Sequence, residues 1–179
     1  MFEFLRTYQL SIMLILSGMC VLTAFFVLLM VNTSAKRRTI LFSLQIGAAI
    51  LLISDRFAYI YRGDVSATGY WSVRVYNFLV FLMTLVESLI LNFYLIDLYR
   101  DEGGMKKTPR RLQAASVILI LGMLALVAGH ITGGYYYFDE FNQYHRGQFF
   151  WMSYVFPAIA VLLQLIVMIQ YVRRINTGI

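Results

Sequence analysis

Charged residues are scarce in this chain of 179 residues. Asp, Glu, Lys and Arg make up 13% of it, about half the share found in a soluble domain, whereas 60% of the residues are apolar. The single cysteine, Cys20, can form no internal disulfide, and the two histidines leave no Cys/His set with zinc spacing. The only lysines are Lys36, Lys106 and Lys107, and none lies within an apolar run, which excludes a retinal-type Schiff base.

Other kinds of functional site are missing as well. The sequence has no P-loop or glycine-rich nucleotide cradle. Its histidines, His130 and His145, are not spaced to bind haem between facing helices, and no Ser/His/Asp set falls at one depth for hydrolysis. We therefore predict no cofactor, no metal and no enzymatic activity within these residues.

What the chain does contain is five long apolar runs. A helix of roughly 20 apolar residues crosses a bilayer. The runs predict an all-α integral membrane protein, a five-helix bundle in one domain over residues 1–179 with the lipid bilayer as its first partner. The helices are expected at residues 9–31, 39–61, 75–99, 112–132 and 149–172. The first run is too long for a signal peptide and is predicted to be retained.

Basic residues are distributed unevenly between alternate connections. Ten lie in or beside the connections that follow helices one, three and five, and five lie toward the other side. This positive-inside pattern predicts an outer N-terminus and a C-terminus in the cytoplasm. Nucleic-acid binding needs basic residues gathered on one folded face, so no nucleic-acid partner is predicted.

The outer connection at residues 133–147, GGYYYFDEFNQYHRG, predicts a short aromatic β-hairpin before helix five. Its tyrosines form either a lid over a ligand pocket or part of the aromatic belt at the membrane interface. We take Tyr137, Asp139 and His145 as candidate ligand-sensing residues on this hairpin.

Glu87 is the main intramembrane candidate. It lies 13 positions after Arg74 and 13 before Arg100, and so roughly 20 Å from either residue along a helix. A carboxyl group at mid-bilayer is costly and is by default a functional candidate. Two interpretations stay open: a sensing or proton-linked site, and a protonated side chain that fixes helix packing.

A second polar group lies near the outer end of helix two. Asp55 and Tyr59 share a helix face, and Arg56 follows Asp55 directly. One interpretation is the floor of an outward-facing pocket for a small-molecule or peptide ligand, shared with Arg74, Asn77 and His145. The other is an interfacial ion pair that holds helix two at its depth.

Small residues and prolines mark further features. Pro157 is predicted to kink helix five and to serve as a hinge. Ala125 and Gly129 form a small-xxx-small pair that predicts a close helix approach. Gly103 and Gly104 are predicted to end helix three.

Three stretches carry a family resemblance: DRFAYIYRGD at residues 55–64, LIDLYRDEGGMKK at residues 95–107, and YYYFDEFNQYHRG at residues 135–147. They resemble the N-terminal multi-helix membrane region of signalling proteins from Firmicutes. In those proteins the region precedes a cytoplasmic GGDEF diguanylate cyclase, sometimes with an EAL domain, or a histidine kinase. The resemblance implies a multi-pass input module in the bacterial cytoplasmic membrane that dimerises through an output domain outside residues 1–179, and it transfers no catalytic residue.

Two other functions remain alternatives. In a transporter or channel component, Glu87 would be an intramembrane proton or cation site, although transporters usually carry an internal repeat that this chain lacks. In a partner-binding membrane subunit, small-residue helix faces would hold the complex together.

Overall fold

The computed structural model describes residues 2–101 and 107–177, with side chains described over 8–101 and 107–170. The elements are α1 (Phe2–Leu28), α2 (Ala35–Ile60), α3 (Ala67–Asp101), α4 (Arg110–Thr132), β1 (Tyr136–Phe138), β2 (Tyr144–Arg146) and α5 (Met152–Thr177). All five helices are long and apolar enough to cross a membrane, which confirms the predicted helix number. The end of the bundle that carries the strands is called the hairpin end, and the opposite end the basic end.

The helix α3 is the centre of the bundle. It packs against α2, α4 and α5, whereas α1 contacts α2 alone among the described elements. The main apolar core lies between α3, α4 and α5, where Leu85, Leu119 and Leu126 are buried. The outer surface of α1 exposes large apolar side chains such as Leu22 and Phe25, as expected where the surrounding solvent is lipid.

The helix α2 begins at Ala35, four residues before the predicted start. Ser34 caps it, because the Ser34 hydroxyl accepts a hydrogen bond from the Arg37 amide at 3.3 Å. Lys36 and Arg37 are therefore in the first turn of α2, whereas the sequence analysis placed them in the connection before the helix. From there they reach Asp97 of α3: Lys36 Nζ lies 2.6 Å from Asp97 Oδ1, and Arg37 Nε lies 3.6 Å from Oδ2.

The helix α3 is longer than predicted. Its 35 residues begin at Ala67, so most of the loop expected between helices two and three is helical. The start is fixed by Asp64 and Ser66, whose side chains accept the amides of Ser66 and Gly69. At about 1.5 Å per residue α3 is about 50 Å long, so it extends beyond a hydrocarbon core of about 30 Å. The predicted stop at Gly103 and Gly104 lies outside the described residues.

The predicted hairpin is confirmed. β1 and β2 pair antiparallel, with Tyr137 opposite His145. The hairpin is held to the bundle because Tyr135 and Tyr136 are buried in the main core. A Cβ added at Gly129 would lie 2.5 Å from the Tyr135 ring. The absence of a side chain at Gly129 therefore leaves the space in which the Tyr135 ring packs against α4. At Gly129 the nearest atoms belong to Tyr135, whereas Gly122 of α4 packs closely against Phe156 of α5.

The helix α5 starts at Met152, three residues later than predicted. The preceding residues form a series of tight turns, in which the amides of Phe150, Met152 and Ser153 donate to carbonyls three residues back. Pro157 consequently falls in the second turn of α5, and the helix is continuous through it. Its role as a hinge stays a prediction.

Buried amides connect the three inner helices. Asn92 of α3 is fully buried and donates to the Leu112 carbonyl and the Ser116 hydroxyl of α4, both at 2.8 Å. Gln164 of α5 donates to the Ser88 carbonyl of α3 at 2.9 Å. These bonds fix the mutual register of α3, α4 and α5 where lipid offers no alternative partner.

Candidate functional site

A cavity of about 140 Å³ lies between α2, α3 and the hairpin. Its lining residues are Asp55, Ala58, Tyr59, Arg62, Asn77 and Tyr144. Ala58, Tyr59 and Arg62 follow Asp55 by three, four and seven residues. Asp55, Ala58 and Tyr59 therefore share one face of α2. Ala58 leaves room on this face because its side chain is a single methyl group. Asp55 lies within α2, and Arg62 lies just beyond its end.

Acceptor groups in this cavity are left without partners. The Asp55 carboxylate is half-buried and has no hydrogen bond or ion pair with any residue the structure describes. The Asn77 side-chain amide donates through Nδ2 to the Val73 carbonyl at 2.7 Å, which leaves its Oδ1 oxygen as a free acceptor. A half-buried carboxylate and a free amide oxygen that line one cavity can both accept hydrogen bonds from a bound donor.

Donor groups come from the other side of the cavity. Arg62 donates through Nε to the Gln143 side-chain oxygen at 3.3 Å, which ties this guanidinium to the hairpin. Burial raises the pKa of the Tyr144 hydroxyl to about 12, and the nearby Tyr154 adds to the effect. At neutral pH the hydroxyl is protonated, as in any tyrosine, and can donate a hydrogen bond. The cavity therefore has an acceptor-bearing wall, formed by Asp55 of α2 and Asn77 of α3, and a donor-bearing rim, formed by Arg62 and Tyr144.

The hairpin turn is clamped onto both helices next to the cavity. Asn142 is buried and adopts a left-handed conformation with φ of 55°. Its Nδ2 donates to the Asp64 carbonyl at 2.7 Å, and its Oδ1 accepts from Arg74 Nη1 at 2.6 Å. Its backbone carbonyl accepts the Gly63 amide at 3.1 Å. One turn residue thus connects the α2–α3 loop, the start of α3 and the hairpin.

Arg74 is a part of this clamp. Its guanidinium carbon lies 3.6 Å from the centre of the Tyr70 ring and 4.7 Å from that of Phe138. Arg74 lines a second cavity of about 310 Å³ at the hairpin end, together with Tyr137 and residues at the end of α4. The structure thus separates Arg74 from the cavity lined by Asp55.

Asp139 organises the turn itself. Its Oδ1 accepts the amides of Phe141 and Gln143, and its Oδ2 lies 2.7 Å from His145 Nε2. These contacts, the one from His145 first, hold the pKa of the Asp139 carboxyl below its usual value. Tyr137 is half-exposed and stacks on His145, with ring centres 5.3 Å apart.

The predicted site residues therefore fall into separate places. Asp55, Tyr59 and Asn77 line one cavity, as the pocket interpretation expects. Arg56 does not line it; its side chain lies over the Phe57 ring with the guanidinium carbon 5.9 Å from the centre. Asp55 and Arg56 are adjacent in the helix and do not face each other, and the alternative, an interfacial ion pair that holds helix two at its depth, stays a prediction.

Glu87 is remote from both cavities, within the contact between α2 and α3. It packs against Gly47, where an added Cβ would lie 1.7 Å from Glu87 Oε1. That oxygen is buried and has no hydrogen-bond partner among the described residues. The packing interpretation expects a hydrogen bond to a neighbouring helix; among the described residues Oε1 has none, and both interpretations of Glu87 stay predictions.

Sequence reasoning missed Arg62, which lines the cavity, and Asn142, which closes the clamp; it named Tyr144 only as one of several aromatic residues that form a lid or a belt. The signal for Arg62 was its spacing of seven residues from Asp55. The signal for Asn142 was an asparagine in a tight turn, a residue type that tolerates the left-handed conformation. Tyr144 could not be distinguished from the other hairpin tyrosines, since only the tertiary packing decides which ring faces the cavity.

No family model, curated protein or solved structure matches the chain. The described residues also contain no group of three or more His, Cys, Asp or Glu side chains placed to hold a metal ion. The geometry of the hairpin end is therefore the basis for a functional proposal.

Proposed function

We propose that the chain is a transmembrane input module of a bacterial signal-transduction protein. It binds a small polar ligand at the hairpin end, which faces outward, and passes the signal through α5 to a cytoplasmic output domain such as a diguanylate cyclase. The observation that carries the proposal is the polar cavity between α2, α3 and β2, whose Asp55 carboxylate lacks a partner among the described residues. A multi-pass membrane protein with an unsatisfied polar cavity near one end has the arrangement of a receptor.

The hairpin offers a route from the cavity to α5. Tyr144 lines the cavity and belongs to β2, and only a few tightly turned residues separate β2 from the start of α5. The same hairpin is anchored to α4 through Tyr136, whose hydroxyl lies 2.9 Å from His130 Nδ1. A ligand that displaces Tyr144 would therefore change the position of α5 relative to α4. The ligand can shift the equilibrium between two positions of α5 only as far as its affinities for the two positions differ.

The size of the cavity limits the affinity. A volume of 140 Å³ is close to that of an engineered cavity, about 150 Å³, that holds benzene, so the ligand has about six non-hydrogen atoms. At a ceiling of about 1.5 kcal/mol per atom the binding free energy reaches about 9 kcal/mol. This corresponds to a dissociation constant no lower than the order of 10⁻⁷ M.

The experiment is a distance measurement across the membrane. The chain is reconstituted in nanodiscs, and a library of small polar metabolites is screened for compounds that raise the thermal stability. Spin labels at the basic ends of α3 and α5 then report whether binding changes their separation; labels on α1 and α2 are the control pair. A changed α3–α5 distance with an unchanged α1–α2 distance supports the proposal. Binding without any change at the basic end rejects signalling.

A second candidate function rests on Glu87. Its buried carboxyl oxygen lacks a hydrogen-bond partner among the described residues and lies between two membrane-crossing helices, as in a proton or cation site. We propose transport as the alternative. Proton-dependent uptake into proteoliposomes that Glu87→Gln abolishes would favour it over the input module.

A further inference from the structure

We propose that the ligand of the cavity is a small zwitterion, with its ammonium group at Asp55 and Asn77 and its carboxylate at Arg62. This inference rests on the proposed function of the cavity as a ligand site and specifies the chemical class of the ligand. It is carried by the placement of opposite charges at the two sides of one small cavity.

The wall formed by Asp55 and Asn77 suits a cationic group. Asp55 has no ion pair with any described residue, and Arg62, the cation that lines the same cavity, donates to Gln143. Arg74 is bonded to Asn142, and the Arg146 guanidinium lies over the Phe150 ring at 4.6 Å. Asn77 adds the free Oδ1 acceptor beside the carboxylate. An ammonium group, with three donors and one positive charge, satisfies both.

The rim requires an anion. Arg62 uses Nε for the bond to Gln143, and a guanidinium has five N–H donors, so four remain for another acceptor. These are suited to a carboxylate, which they can bind by two parallel hydrogen bonds. The hydroxyl of Tyr144, which lines the same cavity, is a further hydrogen-bond donor at this rim.

The separation of the two charges selects the ligand length. Asp55 and Arg62 are seven positions apart: five steps within α2, about 7.5 Å along its axis, and two steps in the turn beyond its end. Both side chains reach into the space between, which leaves room for a molecule with a few carbon atoms between its ammonium and carboxylate groups. The cavity, at 140 Å³, is well below the 300–1,000 Å³ typical of drug-sized ligands and excludes nucleotides and most sugars.

The test uses three probes of nearly equal length: γ-aminobutyrate, butylamine and butyrate. Their binding to the full chain in nanodiscs is measured by titration calorimetry for the wild type and for Asp55→Asn and Arg62→Gln. We expect γ-aminobutyrate to bind at least about tenfold more tightly than either single-charge probe, because each lost charged hydrogen bond weakens binding by about that factor. Asp55→Asn should weaken γ-aminobutyrate and butylamine but not butyrate. Arg62→Gln should weaken γ-aminobutyrate and butyrate but not butylamine.

Two exposed residues at the same end provide matched controls. Glu140→Gln and Arg146→Gln remove the same charges from side chains that do not line the cavity, and both should bind γ-aminobutyrate like the wild type. Equal binding of butylamine and γ-aminobutyrate would overturn the zwitterion in favour of a simple cation. Absence of binding by all three probes also overturns it. If the metabolite screen still finds a neutral ligand that binds in the cavity beside Tyr144, the proposed function survives. If the screen finds no ligand, both proposals fail.

Discussion

The contact between Glu87 and Gly47 predicts that Gly47→Ala will destabilise the chain when the Glu87 carboxyl is present but not when it is removed. In Gly47→Ala the new Cβ would lie 1.7 Å from Glu87 Oε1 and 2.9 Å from its carboxyl carbon. An ordinary contact starts at 3.4 Å, so the carboxyl oxygen must retreat by 3.4 − 1.7 = 1.7 Å. The Met83 methyl group, 3.3 Å from the same Cβ, restricts that movement.

The expected cost follows from overpacking. Forcing one additional carbon into a packed contact costs about 1–3 kcal/mol. In the Glu87→Ala background the obstructing carboxyl group is gone, and the same Gly47→Ala change should be neutral or stabilising by a few tenths of a kcal/mol. The coupling between the two positions is therefore about 1–3 kcal/mol.

Steric trapping in bicelles measures the free energy of unfolding for the wild type, both single variants and the double variant. Gly18→Ala is the control, because an added Cβ at Gly18 of α1 meets nothing within 4 Å. It should change the unfolding free energy by less than about 0.5 kcal/mol. If Gly47→Ala has the same effect with and without the Glu87 carboxyl, the two residues do not share the contact, and the reasoning is refuted.

Three further predictions concern packing and the hairpin. Gly122→Ala should destabilise the chain by about 1–3 kcal/mol in the same assay, since its Cβ would lie 2.9 Å from Phe156 Cβ, which cannot rotate away; a neutral result would contradict the α4–α5 approach. Asn142→Ala should lower the thermal midpoint more than Asn142→Gly, because alanine adds about 1 kcal/mol of left-handed strain to the lost hydrogen bonds; equal midpoints would argue against the φ of 55°. The lowered pKa of Asp139 means that its ionised form stabilises the hairpin, so this contribution is complete above about pH 4 and is lost as the pH falls through the lowered value. Tyrosine fluorescence should show that acid transition in the wild type and lose it in Asp139→Asn, and an unchanged transition would exclude Asp139 as its source.

The membrane helices were predictable because lipid imposes a length and a composition on each of them. Five apolar runs predicted five helices, and the aromatic segment with a central turn predicted the hairpin. Helix boundaries were less well predicted, because side-chain caps decide them. Ser34 moved the start of α2, and Ser66 allowed α3 to begin eight residues early, although each is a recognisable capping residue.

The candidate site was predicted only in part. The spacing of Asp55 and Tyr59 along one helix face is a local property, and Asn77 was expected to join them across the neighbouring helix. The placement of Arg74 and His145 was not predictable from spacing. Both lie at the hairpin end, but hydrogen bonds and ring contacts within the hairpin clamp direct them away from this cavity.

The sequence by itself determined that the chain is a membrane protein, how many helices it has, and which polar residues lie along them. These properties depend on hydrophobicity and on the period of the helix, both of which act within a single segment. The tertiary structure alone decided which polar residues meet. Tyr144 joins Asp55 and Asn77 in one cavity, and Glu87 packs against Gly47, because contacts between distant segments depend on which side chains fit together when the helices pack.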